Sequence, residues 1–176
     1  MSSFAVLEPT VSTPRLRLEL ITPDEAAAML AGRRAPMWHP DYPRQDDLAA
    51  VSMINADLTD LSWSPRHVVR AYDGLVVGSI GFFGPPGPAA DGVPEAEIGY
   101  GLVAEARGRG VATEAVAGLL RHTDRLGVRV CASVQPDNTA SVRVLAKCGF
   151  TDLRGADEDG NLVMARPLPT SPDPDR

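Results

Sequence analysis

Lysine is nearly missing from this chain: Lys147 is the only one in 176 residues. A nucleotide P-loop ends in Gly-Lys-Ser/Thr, and nothing around Lys147 supplies that run. Cysteine is scarce as well. Cys131 and Cys148 stand alone in unrelated contexts, which supports neither a disulfide framework nor a zinc site. A reduced, cytoplasmic location is the resulting expectation. The three histidines, His39, His67 and His122, are scattered without ligand spacing, so no metal is expected. No Gly-x-Ser-x-Gly run or Cys-His signature points to a hydrolase. No apolar stretch is long enough to span a bilayer, and Met1–Ala5 lacks the basic start of a secretory signal. The net charge of −6 argues against nucleic acid or an anionic membrane as partner and suits an amine.

What is present reads as one domain over residues 1–167, followed by a Pro- and Asp-rich tail over 168–176 that is expected to be disordered. Arg15–Leu20 alternates Leu16, Leu18 and Leu20 against Arg15, Arg17 and Glu19, the pattern of a strand with one buried face. Thr22-Pro23-Asp24-Glu25 is a capping box with proline at the first helical position, and the helix it starts should stop at Gly32. The prolines of Arg33–Arg44 exclude long regular structure. Leu48, Val51, Ile54 and Leu58 then have helical spacing.

His67–Tyr72 and Leu75–Phe83 flank Asp73-Gly74, a hairpin signal with a type I′ turn. A Gly/Pro-rich loop, 84–94, leads to a strand over Glu95–Val103. A helix over Val111–Leu126 ends at Gly127, and a strand covers Val128–Val134. Asn138 caps a helix to about Cys148, and two strands close the chain around the acidic turn Asp157–Gly160. The expected class is α+β: a mixed, mostly antiparallel central sheet flanked by helices.

Chemistry is concentrated at Arg107-Gly108-Arg109-Gly110-Val111-Ala112-Thr113, a short loop between a strand end and a helix start. Helix-start N–H groups form an anion site. Gly108 and Gly110 let a ligand approach the backbone closely, and Arg107 and Arg109 add charge. The dinucleotide fingerprint needs a third glycine where Thr113 stands, so that reading fails.

The run Arg107-x-x-Gly110-x-Ala112 resembles the (Gln/Arg)-x-x-Gly-x-(Gly/Ala) signature of the GNAT acetyltransferases. Glu97-Ile98-Gly99-Tyr100, Gly108–Ala115, Asn138–Leu145 and Gly149-Phe150, with Thr13–Leu18 as an opening strand, resemble the Rim-like subgroup, which includes enzymes that acetylate ribosomal-protein N-termini. The resemblance covers roughly Thr13 to Pro167. It implies a sheet splayed at its middle and acetyl-CoA as cosubstrate. It further implies that backbone groups of Tyr100 and Leu102 hold the pantetheine arm and that N–H groups from Gly108 to Thr113 hold the diphosphate. Asn138 and Ser141 would face pantetheine and sulfur. Family members are often dimers, so a homodimer is the expectation.

Amine attack on a thioester needs a base, an oxyanion donor and a protonation route for the thiolate. Glu97 is the first candidate for the base and Glu95, on the same strand face, the second. A backbone N–H near Leu102 would serve the oxyanion. Many relatives carry a tyrosine five residues before the Phe of the Gly-Phe pair; here that residue is Leu145, which leaves Ser141 as the nearby hydroxyl. Gly101 also departs from the subgroup, where tryptophan is common. On the acceptor side, Trp38, Asp41 and Tyr42 lie in the loop that walls the pocket in the family. The expected activity is acetyl transfer to a primary amine: a protein N-terminus, a metabolite amine or an aminoglycoside-like compound. The alternative is a non-catalytic acyl-CoA-binding or sensing protein on the same scaffold.

Overall fold

Leu16 and Leu18 are buried and Arg17 and Glu19 pair on the opposite face, as the alternation requires. They belong to β2 (Leu16–Leu20), which pairs with a short β1 (Thr10–Ser12) that sequence periodicity does not reveal. The computed structural model describes residues 6–54 and 60–170. After β2 come α1 (Pro23–Leu30), α2 (Gln45–Val51), β3 (Arg66–Arg70), β4 (Val76–Phe82), a two-residue β5 (Gly87–Pro88) and β6 (Pro94–Leu102). A 3-10 turn at Ala104–Ala106 leads to α3 (Val111–Arg125), then β7 (Arg129–Val134), α4 (Thr139–Lys147), β8 (Asp152–Ala156) and β9 (Leu162–Arg166).

The strands form one sheet in the order β1-β2-β3-β4-β6-β7-β9-β8, with β5 attached to β6. Every neighbour pair is antiparallel except β6–β7. The α+β class expected from the element order is therefore the one observed.

The helices lie where local chemistry starts and stops them. The capping box of α1 is formed by Thr22 and Glu25, and Gly32 and Gly127 take positive φ past the ends of α1 and α3. α3 buries Val111, Ala115, Val116, Leu119 and Leu120, the i, i+4 stripe of an amphipathic helix. Each of the valines and leucines contributes about 1.5–3 kcal/mol by leaving water.

Three expectations need correction. α2 ends at Val51, because Ser52 and Met53 turn away; Leu58, the last residue of the spacing, lies outside the described residues. The β3–β4 turn is not type I′. Only Gly74 has positive φ, and its N–H donates to the Arg70 carbonyl across a wider loop. β8 begins at Asp152, not Phe150, because Phe150 is drawn into the core. Pro167–Thr170 have no regular structure, and residues 171–176 of the expected tail lie outside the described residues. No helix among the described residues is long and apolar enough to cross a membrane.

Candidate active site

β6 and β7 run side by side only from Glu95–Arg129 to Glu97–Cys131. β6 continues to Leu102 and β7 to Val134, so beyond Glu97 the two strands part. The orientation of β6's main chain follows from its neighbours. Val103 N–H donates to the Val77 carbonyl, and the Glu97 carbonyl accepts from Phe83 N–H. Odd-numbered residues therefore turn their polar groups toward β4, and alternation turns those of Tyr100 and Leu102 toward the opening. Arg107 Nε donates to the Leu102 carbonyl at 3.0 Å, so that arginine braces the strand end instead of reaching outward.

A cavity of about 870 Å³ follows this opening. Glu97, Tyr100, Asn138 and Ser141 all line it, as does Leu145. Asn138 caps α4 by accepting from Ser141 N–H at 3.2 Å, which fixes both residues at the cavity wall. Tyr100 spans the opening: its hydroxyl donates to the Ser141 carbonyl at 3.3 Å. Burial raises the Tyr100 pKa, so the phenol keeps its proton. Among the described residues Glu97 has no ion-pair or hydrogen-bonding partner for its carboxylate.

The Arg107–Thr113 loop is not part of the cavity wall; it continues from the end of β6 as an exposed turn. Gly108 and Gly110 have φ of 73° and 76°, and Gly110 caps α3 without any side-chain hydrogen bond. The first-turn N–H groups of Val111, Ala112 and Thr113 thus have no capping side chain. Glu114 would repel an anion there, but Thr13, Arg15 N–H and Arg15 Nε all donate to its carboxylate. The Arg109 carbonyl accepts from Arg15 Nη1, which anchors the loop from the other side.

Glu95 is set apart from Glu97. It is absent from the cavity wall and is gripped by Arg129 and Arg154. Burial pushes its carboxyl upward, but the two guanidinium groups outweigh this and hold it below the usual carboxylate range. A depressed carboxyl contributes stability above its unfolded pKa, and this is lost as pH falls through the folded value. Glu95→Gln is therefore expected to lower the melting temperature at pH 7, with the gap to wild type closing below about pH 4. A melting series from pH 7 to 3 reads this; a pH-independent gap would assign the loss to packing.

The acceptor-side loop is arranged differently from the expectation. Trp38 and Tyr42 are buried and lie edge-to-face at 5.6 Å, and the Tyr42 hydroxyl meets His67 Nδ1 at 2.8 Å. Asp41 points outward with its side chain 72% exposed. None of the three lines the cavity. The cause is the large apolar area of the two rings, which draws the loop inward.

Folding the loop inward delivers Arg44, a residue that sequence patterning does not single out. Arg44 N–H, Nε and Nη2 all donate to the buried carboxylate of Asp47, which also accepts from Ser79. Arg44, Asp47, Ser79 and Phe83 line the cavity with Glu97. The one sequence signal for them is the pair Gly99 and Gly101, alternate glycines on a single strand face.

The chain matches the acetyltransferase (GNAT) domain family over residues 15–151. No curated protein matches it. Among solved structures, a protein of Bordetella pertussis described as a GNAT-family acetyltransferase is 26% identical, covers 91% of this chain and 100% of its own, and superposes with a TM-score of 0.61. One from Vibrio cholerae described as a ribosomal-protein-serine acetyltransferase is 20% identical over 94% of this chain and 100% of its own, with a TM-score of 0.57. The microcin C7 self-immunity acetyltransferase, solved with acetyl-CoA and AMP, is 18% identical over 88% of this chain and 93% of its own, with a TM-score of 0.61. The parted strands, the glycine-capped helix and a family match spanning most of the sequence agree: the chain belongs to the GNAT acetyltransferase family.

Proposed function

We propose that the protein transfers an acetyl group from acetyl-CoA to a primary amine by direct attack on the thioester, with Glu97 as base. The observation that carries this reading is the Glu97 carboxylate on the cavity wall, without an ion-pair or hydrogen-bonding partner among the described residues, on the strand whose backbone faces the opening. The microcin C7 relative solved with acetyl-CoA supports the choice of donor, and the ribosomal-protein relative supports a Rim-like acceptor chemistry.

Main-chain groups of Tyr100 and Leu102 would hold the pantetheine arm, and the N–H groups from Gly108 to Thr113 the diphosphate. Asn138 and Ser141 would flank the sulfur. Glu97, directly or through water, takes the ammonium proton. The amine nitrogen then bonds to the thioester carbonyl carbon, and the oxyanion is met by a backbone N–H near Leu102. The bonded nitrogen then gives up its second proton to water, and collapse breaks the C–S bond, leaving the amide and CoA thiolate. Its proton comes from solvent or from the Ser141 hydroxyl; a thiolate with a pKa of about 8.5 also leaves unaided. Holding both reactants in one cavity supplies much of the remaining acceleration.

The test is release of free CoA thiol from acetyl-CoA in the presence of a panel of primary amines. Amine-dependent release is the expected result. Acetyl-CoA binding without release on any amine would make the protein a binding or sensing member of the fold.

A further inference from the structure

The cavity face of β6 carries three different chemistries in a row, and two glycines make room for two of them. Glu97, Gly99 and Gly101 share one face by alternation. A β-carbon at Gly99 would lie 2.8 Å from Phe83 Cζ, so the Phe83 ring rests on the bare backbone. A β-carbon at Gly101 would lie 2.0 Å from Arg44 Nη2, 2.6 Å from Cζ and 2.7 Å from Nη1, so the Arg44 guanidinium lies flat on the strand. Any side chain at either position would evict its neighbour. Reading along the strand, the wall presents a carboxylate, then an aromatic ring that is half exposed, then a guanidinium.

The guanidinium is held for use from one edge. Nε and Nη2 are fixed by Asp47, whose side chain is fully buried and is itself held by Ser79 and Arg44 N–H. Nη1 has no partner among the described residues, and the Arg44 side chain keeps 21% exposure on the cavity wall. An arginine fixed along one edge offers its other donors to a carboxylate at little entropic cost. Of the other aspartates on the wall, Asp60 accepts from Ser62 and Asp157 holds the turn to Asn161, while Asp46 and Asp159 line the cavity as well; none of the four pairs with Arg44 among the described residues.

We infer that the amine acceptor of this site also carries a carboxylate, which Arg44 binds while the amine meets Glu97 and the intervening apolar part lies on Phe83. The inference rests on the acetyl-transfer reading above and narrows its acceptor. Gly101 and Glu97 are four residues apart, about 13 Å along a strand. The Glu97 and Arg44 side chains shorten this span, which leaves room for an amino acid or a dipeptide between them.

The experiment compares kcat/KM for free amino acids and dipeptides with their C-terminal amides, in wild type and in Arg44→Lys, which keeps a cation beside Asp47. Wild type is expected to prefer the free carboxylates by at least tenfold. In Arg44→Lys that preference should collapse through a rise in KM for the carboxylate substrates, because the ammonium lacks the guanidinium's fork. Equal or better use of the amides by wild type would overturn the inference, and so would an undiminished preference in Arg44→Lys. The wild-type comparison needs no variant and decides the matter even if Arg44→Lys does not fold. Preference for polyamines lacking any carboxylate would also overturn it while leaving acetyl transfer intact; no thiol release with any acceptor would instead overturn the proposed function.

Discussion

Glu97→Gln is expected to lower kcat by about 10²- to 10⁴-fold, the range that a positioned general base contributes. Acetyl-CoA affinity should hardly move, since the groups assigned to the cofactor are the backbone of Tyr100 and Leu102 and the loop from Gly108 to Thr113. Glutamine keeps the size and hydrogen-bonding reach of glutamate but cannot take the ammonium proton. The loss should shrink as pH rises, because a growing share of the acceptor then arrives already deprotonated. A pH–rate profile beside an acetyl-CoA titration separates the two terms. Wild-type turnover in Glu97→Gln across the pH range would remove Glu97 from the chemistry and return the role to water or to the acceptor's own equilibrium.

The second large effect falls on stability. Arg44→Met would leave the fully buried Asp47 carboxylate with Ser79 as its only side-chain donor among the described residues. Removing one partner of a buried pair costs about 3–5 kcal/mol, which for a chain of this length lowers the melting temperature on the order of 10 °C. The double variant Arg44→Met with Asp47→Leu removes both charges and should recover more than half of that loss, since what is expensive is the orphaned charge and not the absence of the pair. Two melting curves and the wild type complete the comparison. An unchanged melting temperature in Arg44→Met would mean that Asp47 finds water or a proton, and that the pair does not hold α2 against the sheet.

Much of the fold is legible in local chemistry. The Thr22–Glu25 capping box, the glycines that stop α1, α3 and α4, and the alternation through β2 and β7 are all decided by neighbours in sequence. The glycine loop before α3 is decided locally only in part: Gly108 and Gly110 shape it, but Arg15, far away in sequence, anchors it at the Arg109 carbonyl. The acceptor side behaves otherwise. By resemblance Trp38 and Tyr42 belong to the loop that walls the acceptor pocket, yet a buried His67 gives the tyrosine hydroxyl a partner and the rings turn inward. Glu95 and Glu97 are indistinguishable by spacing; arginines at 129 and 154, far away in sequence, take one and leave the other. Arg44 was invisible because its role depends on a bare strand facing it. Gly101 was legible as a departure from the subgroup, but what fills the missing side chain's place is a fact of three dimensions.

The parting of β6 from β7 has a mechanical consequence. Six strands, counting β5, lie on one side of that joint and three on the other, and only three residue pairs lace them together. Along this seam the ladder stops at Glu97, so a pantetheine laid against Tyr100 and Leu102 would serve as further rungs of the sheet. Binding and folding are then coupled: a cofactor present at a hundred times its dissociation constant adds about 2.7 kcal/mol to the folded state. Loaded protein would be a stiffer plate than empty protein, and the acceptor would meet a wall whose spacing the cofactor has already set.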